Sequence, residues 1–132
     1  MALLELHNLT IIRKGGKLPS LPFVEIKEKL LTKKYNLTIV FCSPKESRER
    51  NKKYRNKDYP TNILSFPLSE SEGEIYISLS TVRSDAKKFD MPYIKFLHLL
   101  MIHGSLHLKG HAHGSTMEEL EQKHLTTFFR GT

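Results

Sequence analysis

The segment from His103 to His113 constrains this chain most, because it holds four histidines within a few turns of chain. His103 and His107 are four residues apart, so on an α-helix their side chains lie one turn apart on the same face. At this spacing two imidazoles can bind one metal ion from a rigid backbone. The sequence therefore predicts a helix that presents both rings to a metal ion.

Gly110 and His113 complete this predicted metal site. A glycine can adopt the left-handed conformation that ends a helix and turns the chain back sharply. Such a turn would bring His113 to the open side of the histidine pair as a third ligand. Three protein ligands with one coordination position left for water are typical of a catalytic zinc site rather than a closed structural one.

The spacing resembles the extended zincin motif, H-E-x-x-H-x-x-G-x-x-H, with one residue missing. That motif has a glutamate after its first histidine, where this chain has Gly104. Because the glutamate is the general base of zinc peptidases, its absence disfavours proteolysis.

Longer blocks of the sequence are similar to those of the YbeY family of metal-dependent endoribonucleases. One block is the H-G-S-L-H-L-K-G segment that begins at His103 and is followed by His113. Another is N-K-K-Y-R-N-K-D-Y-P-T-N-I-L-S-F-P, from Asn51 to Pro67, and a short G-D-I block appears as G-E-I at residues 73–75. The blocks follow the order of the family, and only about the first fifty residues lack such a motif.

The resemblance implies a metal-dependent endoribonuclease that cuts single-stranded RNA in rRNA maturation and ribosome assembly. On this interpretation His103, His107 and His113 bind one divalent ion, with Zn²⁺ expected, and Arg55 of the Y-R-x-K-D block is catalytic. A guanidinium can hold a phosphate by two hydrogen bonds and stabilise the charge that develops on it. The implied partners are single-stranded RNA, rRNA in particular, and the small ribosomal subunit, and neither DNA nor a membrane.

The chain departs from the family pattern at three places. Asn62 and Glu74 each stand where the family has aspartate, and His111 with Ala112 replaces an aromatic residue followed by aspartate. The last change concerns groups that orient metal ligands rather than the ligands themselves. It also leaves open that His111 is a fourth or alternative ligand.

The formal net charge is +7, and the segment from Lys45 to Lys57 holds seven basic residues against two acidic ones. A basic helix face is most often only solvated, but this one leads directly into the block that resembles a nuclease. We therefore expect phosphate contacts from its basic side chains, namely Arg48, Lys52 and Lys53. The segment contains Tyr54 but no run of aromatic residues, so it does not indicate a platform for base stacking.

Length and pattern predict one α+β domain over residues 1–132, since a chain of this size with 39% apolar residues can bury one core. The order of patterns is β-α-β-α-β-β-α-α-α, which predicts a small mixed sheet of about four strands. Helices would pack on the sheet around a central, buried helix that carries the histidines. The lone Cys42, with no secretory signal and no apolar run that could span a bilayer, predicts a reduced, cytoplasmic protein.

The predicted strands are residues 3–12, 37–42, 62–66 and 74–79, with Pro67 ending the third. Three helix starts are predicted from capping residues, namely Ser43, Asp90, and Ser115 or Thr116. Asp58 and Asn62 are expected to shape the loop after the basic helix. His98 cannot share the ligand face, so we expect it either to be buried and hydrogen-bonded or to orient the metal ligands. We assign no catalytic role to Ser105.

Two other functions stay open. A different hydrolase could use the same three histidines on peptides or small molecules, although the absent glutamate and the basic charge argue against this. The protein could also be a non-catalytic, RNA-binding assembly factor in which the metal only fixes the C-terminal loop. RNA binding that is sensitive to salt but leads to no cleavage would favour that alternative.

Overall fold

The computed structural model describes residues 2–14, 16–111 and 114–129. In this part of the chain five strands form one mixed sheet and five helices pack against it, so the predicted α+β class is confirmed with one strand more than expected. In chain order the elements are β1 (Ala2–Leu6), β2 (Leu9–Arg13), α1 (Phe23–Leu31), β3 (Asn36–Phe41), α2 (Pro44–Arg55), β4 (Ile63–Ser69), β5 (Glu72–Ile77), α3 (Leu79–Lys88), α4 (Tyr93–Leu108) and α5 (Ser115–Phe128).

The strands lie in the order β1-β2-β3-β5-β4. The central strands β2, β3 and β5 are parallel, and the two edge strands are antiparallel to their neighbours. No helix in the described part of the chain is long and apolar enough to cross a membrane.

The additional strand comes from a tight turn inside the segment that we predicted as one strand. His7 and Asn8 both have positive φ, +54° and +58°, and Leu6 pairs with Leu9 across the turn. Two successive residues with positive φ are typical of the two-residue hairpin turn whose twist matches that of the strands. Because this turn contains no glycine, the sequence carried only the weaker signal of Asn8.

Pro67 does not end β4, which continues to Ser69. β4 is an edge strand that pairs only with β5 among the described strands, so the missing N–H of the proline costs no ladder bond. The register shifts between Pro67 and Ser69, where the hairpin with β5 turns. The predicted hairpin itself is confirmed.

The predicted cap of α2 is confirmed, since Ser43 Oγ accepts a hydrogen bond from the backbone N–H of Glu46 at 3.1 Å. The predicted cap of α4 is wrong. Asp90 has a φ of +51° and lies in the turn after α3, while Pro92 precedes the first helical residue. A short polar residue tolerates this left-handed conformation, and the fixed φ of the proline then starts the helix.

The predicted cap of α5 is also wrong. The helix begins at Ser115, with Gly114 before it, and the described residues provide no side-chain cap. Ser115 and Thr116 therefore lie inside the first turn rather than at the cap.

The core lies between one face of the sheet and α4, as predicted for the central helix. α4 contacts α1, α3, α5 and β4, and most of its residues are buried. A smaller cluster of Val40, Leu64 and Tyr76 lies on the other face, on the side of α2. Cys42 is partly buried against it, and this burial raises the pKa of the thiol to about 11, so Cys42 stays a neutral, packed side chain.

Gly104 allows α4 to approach the edge of the sheet closely. A Cβ atom at this position would lie 2.9 Å from Ile63 Cδ1 and 2.9 Å from Ser65 Oγ. The Ser65 hydroxyl also donates to the Gly104 carbonyl at 3.3 Å. A glutamate, which zincins have at this position, would not fit between the helix and β4.

We expect Gly104→Ala to destabilise the fold by about 1–3 kcal/mol, because the added methyl group overpacks a site that is already filled. The measurement is the free energy of unfolding from urea denaturation. Ser84→Ala, at an exposed position of α3, is the control and should change this free energy by less than about 0.5 kcal/mol. Equal stability of Gly104→Ala and the parent would contradict the close approach of α4 to β4.

Candidate active site

α4 presents His103 and His107 on one face, as their spacing predicts. The two Nε2 atoms are 3.1 Å apart, and the ring centroids are 4.5 Å apart with the rings nearly perpendicular. Each ring is partly accessible at the surface of the helix. The reactive nitrogens of the pair therefore converge on one point.

The other nitrogen of each ring is held by an acceptor. His103 Nδ1 lies 2.9 Å from a carboxylate oxygen of Glu121 on α5, and His107 Nδ1 lies 3.1 Å from the carbonyl oxygen of His111. Because a carboxylate and a carbonyl only accept, each Nδ1 carries the proton. This leaves the two Nε2 atoms, 3.1 Å apart, as the nitrogens of the pair that could bind a cation.

This donor set fits a metal ion. Two nitrogen ligands of a tetrahedral zinc ion lie about 3.3 Å apart, close to the separation of the two Nε2 atoms. A carboxylate on the far side of a ligating histidine is the usual way in which proteins orient such a ring. His113, the predicted third ligand, lies outside the described residues, and within those residues no group of three His, Cys, Asp or Glu side chains could hold a metal.

Gly110 turns the chain at the end of α4, as predicted. Its φ is +106°, its N–H donates to the His107 carbonyl at 3.0 Å, and the N–H of His111 donates to the Leu106 carbonyl at 3.0 Å. These two nested bonds are those of the Schellman motif, which favours glycine at this position. The motif brings the His111 carbonyl to the His107 ring, so His111 contributes its backbone to the pair.

Glu121 was missed from the sequence. α5 carries acidic residues at 118, 119 and 121, and nothing in their spacing distinguishes one from the others. Only the packing of α5 on α4 selects Glu121, whose side chain is 13% exposed. An acidic residue on the next helix can be predicted to hold a histidine ring only once the contact between the two helices is known.

A cleft of about 370 Å³ joins the histidine pair to Arg55. It lies along β4, and its remaining walls come from that strand and the loop before it, namely Thr61, Asn62, Ile63, Ser65 and Pro67. Arg55 is exposed, and its guanidinium forms no ion pair with any side chain in the described ranges. The cleft thus combines the Arg55 guanidinium with two imidazole nitrogens that could bind a metal ion.

The loop between α2 and β4, residues 56–62, is fixed by several hydrogen bonds. Ser47 Oγ donates to the Thr61 carbonyl at 2.6 Å and accepts from the Thr61 N–H at 2.9 Å. Asn62 Nδ2 donates to Asp85 on α3 at 2.9 Å. Asn62 therefore ties the loop to α3, and an aspartate in its place would put two carboxylates together.

The three basic residues predicted to bind RNA lie on the exposed side of α2, outside the walls of this cleft. Arg48 Nε lies 2.7 Å from a carboxylate oxygen of Asp58, and Lys52 Nζ lies 3.9 Å from the other oxygen. The hydrogen bond from Arg48 holds the pKa of the Asp58 carboxyl below its usual range. Lys53 lies over the ring of Tyr54, 5.2 Å from its centroid.

Three further histidines lie outside the cleft and have structural roles. His98 is buried, with Nδ1 2.8 Å from the Ile94 carbonyl, which confirms its predicted hydrogen-bonded position. His124 is buried on α5, and burial lowers its pKa. His7 lies in the first hairpin turn, where its carbonyl accepts from Lys27 Nζ at 3.1 Å. Ser105, to which we assigned no role, is fully buried.

Comparison with known proteins gives a consistent result. Residues 21–128 match the family model described as Endoribonuclease YbeY. Proteins named Endoribonuclease YbeY include one from Phocaeicola vulgatus, 40% identical over 97 residues that cover 67% of this chain and 70% of that protein. Another, from Bacteroides fragilis, is 34% identical over 132 residues that cover 89% of this chain and 95% of that protein.

A solved structure is also similar. The solution structure of a Thermotoga maritima protein matches with a TM-score of 0.59 and 29% sequence identity, and the match covers 87% of this chain and 86% of that one. The similarity therefore extends over most of both chains.

We expect Glu121→Gln to weaken zinc binding by about 10- to 100-fold, because the neutral amide keeps the ring in place but no longer raises its basicity. The measurement is competition for Zn²⁺ with a chromophoric chelator. Glu119→Gln, which removes an exposed carboxylate from the same helix, should bind zinc like the parent. Equal weakening in both variants would mean that only the general charge of α5 matters.

Proposed function

The chain belongs to the YbeY family of endoribonucleases, and we propose that it is a metal-dependent endoribonuclease that cleaves single-stranded RNA in the maturation of rRNA. The observation that carries this proposal is the shared cleft of His103, His107 and Arg55. Two metal-binding nitrogens and a guanidinium without an ion-pair partner in the described chain are the groups that a phosphodiester requires.

His103 and His107 would hold the metal ion, with His113 as the proposed third ligand. Zinc suits three imidazole nitrogens, although such a site binds several first-row ions. When bound, the ion supplies Lewis-acid activation of a phosphodiester at this point of the cleft. Glu121 fixes the tautomer and the orientation of His103, and the His111 carbonyl does the same for His107.

Arg55 is proposed to clamp the phosphate that is cleaved. Its planar guanidinium can donate two parallel hydrogen bonds to phosphate oxygens, which fixes the phosphate and stabilises the charge that develops on it. The hydrogen bonds of the 56–62 loop hold the end of α2 against β4. Gly104 leaves the first histidine without an adjacent carboxylate, so the site lacks the general base of a zinc peptidase.

The exposed side of α2 is proposed to hold the RNA strand outside the cleft through Arg48, Lys52 and Lys53. Such contacts act through charge and make binding sensitive to salt. A cytoplasmic location and an association with the small ribosomal subunit follow as further proposals from the family. The segment from Lys45 to Lys57 holds seven basic residues against two acidic ones, and this positive charge supports a polyanionic partner.

We expect purified protein to cleave a labelled single-stranded RNA and His107→Ala, prepared identically, to be inactive, because the variant lacks a metal ligand. The variant controls for contaminating nucleases, which would act equally in both samples. Equal cleavage by both proteins would mean that the activity lies elsewhere. No cleavage by either, with zinc bound to the parent, would favour a non-catalytic RNA-binding factor.

Arg55→Ala should lower kcat/KM for RNA cleavage by about 10²- to 10³-fold while leaving zinc content unchanged, because it removes stabilisation of the phosphate charge and no metal ligand. The kcat/KM of Arg55→Lys should lie between those of Arg55→Ala and the parent, since lysine keeps the charge but cannot donate two parallel hydrogen bonds. Arg83→Ala, at an exposed arginine of α3, removes the same charge outside the cleft and should keep full activity. Loss of zinc from Arg55→Ala would contradict the role given to Arg55.

A further inference from the structure

A row of aromatic rings runs across the face of β4 that carries α2. Tyr76 on β5 and Phe66 on β4 meet edge to face with centroids 5.7 Å apart, and Phe66 meets Tyr54 on α2 at 5.1 Å. The exposed fraction rises along the row from 8% for Tyr76 to 54% for Tyr54. The row therefore begins in the core and ends in a ring that is half open to solvent.

This row lies on the face of β4 opposite the cleft. Ser65 and Pro67 line the cleft, and Phe66 lies between them in the strand. Because side chains alternate between the two faces of a strand, Phe66 points to the opposite face of β4. Tyr54, which packs on Phe66, is the residue next to Arg55. A strand of RNA that passes round this sheet edge would meet the Arg55 guanidinium and then the Tyr54 ring.

The surroundings of Tyr54 suit a nucleotide. Lys53 Nζ is 5.2 Å from the Tyr54 ring centroid, a loose contact that a base could replace while the ammonium turns to a phosphate. A shallow groove of about 220 Å³ beside the ring is lined by Glu46, Glu49, Arg50, Lys53 and Tyr54. Lys14 Nζ lies 2.6 Å from the Glu46 carboxylate and offsets that negative charge.

We propose that Tyr54 is a base-stacking subsite, on which the base next to the phosphate held by Arg55 lies against the exposed ring. This inference rests on the proposed RNA-cleaving function, and it adds the position at which the substrate strand leaves the cleft. Stacking is tolerant of sequence, because every base has a π-face, so the subsite would favour an unpaired base without selecting its identity. A base that is still paired within a duplex cannot reach the ring, which makes Tyr54 a determinant of single-strand preference.

A structural role alone would also explain contacts between Tyr54 and Phe66, since they fasten α2 to the sheet. The two roles differ in what they require of the ligand. Stacking requires a base, whereas a general loosening of α2 would weaken binding to any strand of the same charge. The test therefore changes both the protein and the nucleic acid.

The probes are a fluorescent 2′-O-methyl oligonucleotide, which resists cleavage, and an abasic oligonucleotide of equal length and charge. We expect Tyr54→Leu to weaken binding of the first by about 5- to 100-fold and to leave binding of the second unchanged. Tyr54→Phe, which keeps the π-face, should bind both like the parent. The dependence of affinity on salt should stay the same in both variants, because no phosphate contact is lost.

Tyr59→Leu is the matched control, since Tyr59 is 53% exposed on the adjacent loop but lies outside the aromatic row. It should bind both probes like the parent. Equal losses on the two probes, equal effects of the two Leu variants, or failure of the parent to bind the first probe would each overturn the stacking subsite. A parent that binds through Tyr54 but does not cleave RNA would instead count against the proposed nuclease activity alone.

Discussion

The opposed Nε2 atoms of His103 and His107 are the feature on which the rest of the site depends. A carboxylate holds one Nδ1 and a carbonyl holds the other, and this arrangement leaves the two Nε2 atoms facing each other 3.1 Å apart. The fold maintains it with two elements outside α4, namely α5 through Glu121 and the Schellman turn at Gly110. Such an orientation suits a cation and supports the metal site that we propose.

The position of α4 connects this chemistry to the sheet. Gly104 lies directly after the first histidine and permits a contact with Ile63 and Ser65 that a larger residue would prevent. The same closeness places the histidines beside β4, whose Ser65 and Pro67 form the adjoining wall of the cleft. One glycine therefore has two consequences. It removes the general base of a peptidase from the motif, and it brings the proposed metal ligands to the strand along which we propose that a phosphodiester lies.

Much of this could be predicted from sequence, because the relevant signals were local. The helix period identified the histidine pair, Ser43 with Pro44 marked the start of α2, and Gly110 marked the turn. The errors had two sources, namely local turn and cap geometry that the residue types left ambiguous, and contacts between elements that are distant in the sequence. A hairpin turn without glycine concealed one strand, and an edge position allowed β4 to pass through Pro67. Glu121 and the partners of Asn62 depend on contacts between helices that no short-range pattern records.

The aromatic row could not be predicted from short-range sequence patterns either, and it bears on the proposed function. Tyr54, Phe66 and Tyr76 come from a helix and two strands, so the basic segment alone contains no run of aromatic residues. The sheet assembles the row, and the strand alternation of β4 separates it from the cleft by the thickness of one strand. An edge strand is well suited to this arrangement, because no further strand covers its outer side in the described chain. A flexible single strand can follow both faces of such an edge, whereas a duplex is too stiff and too wide to do so. In this geometry the preference for unpaired RNA would come from the bent path of the strand around β4. It would need no hydrogen bond to the edge of a base.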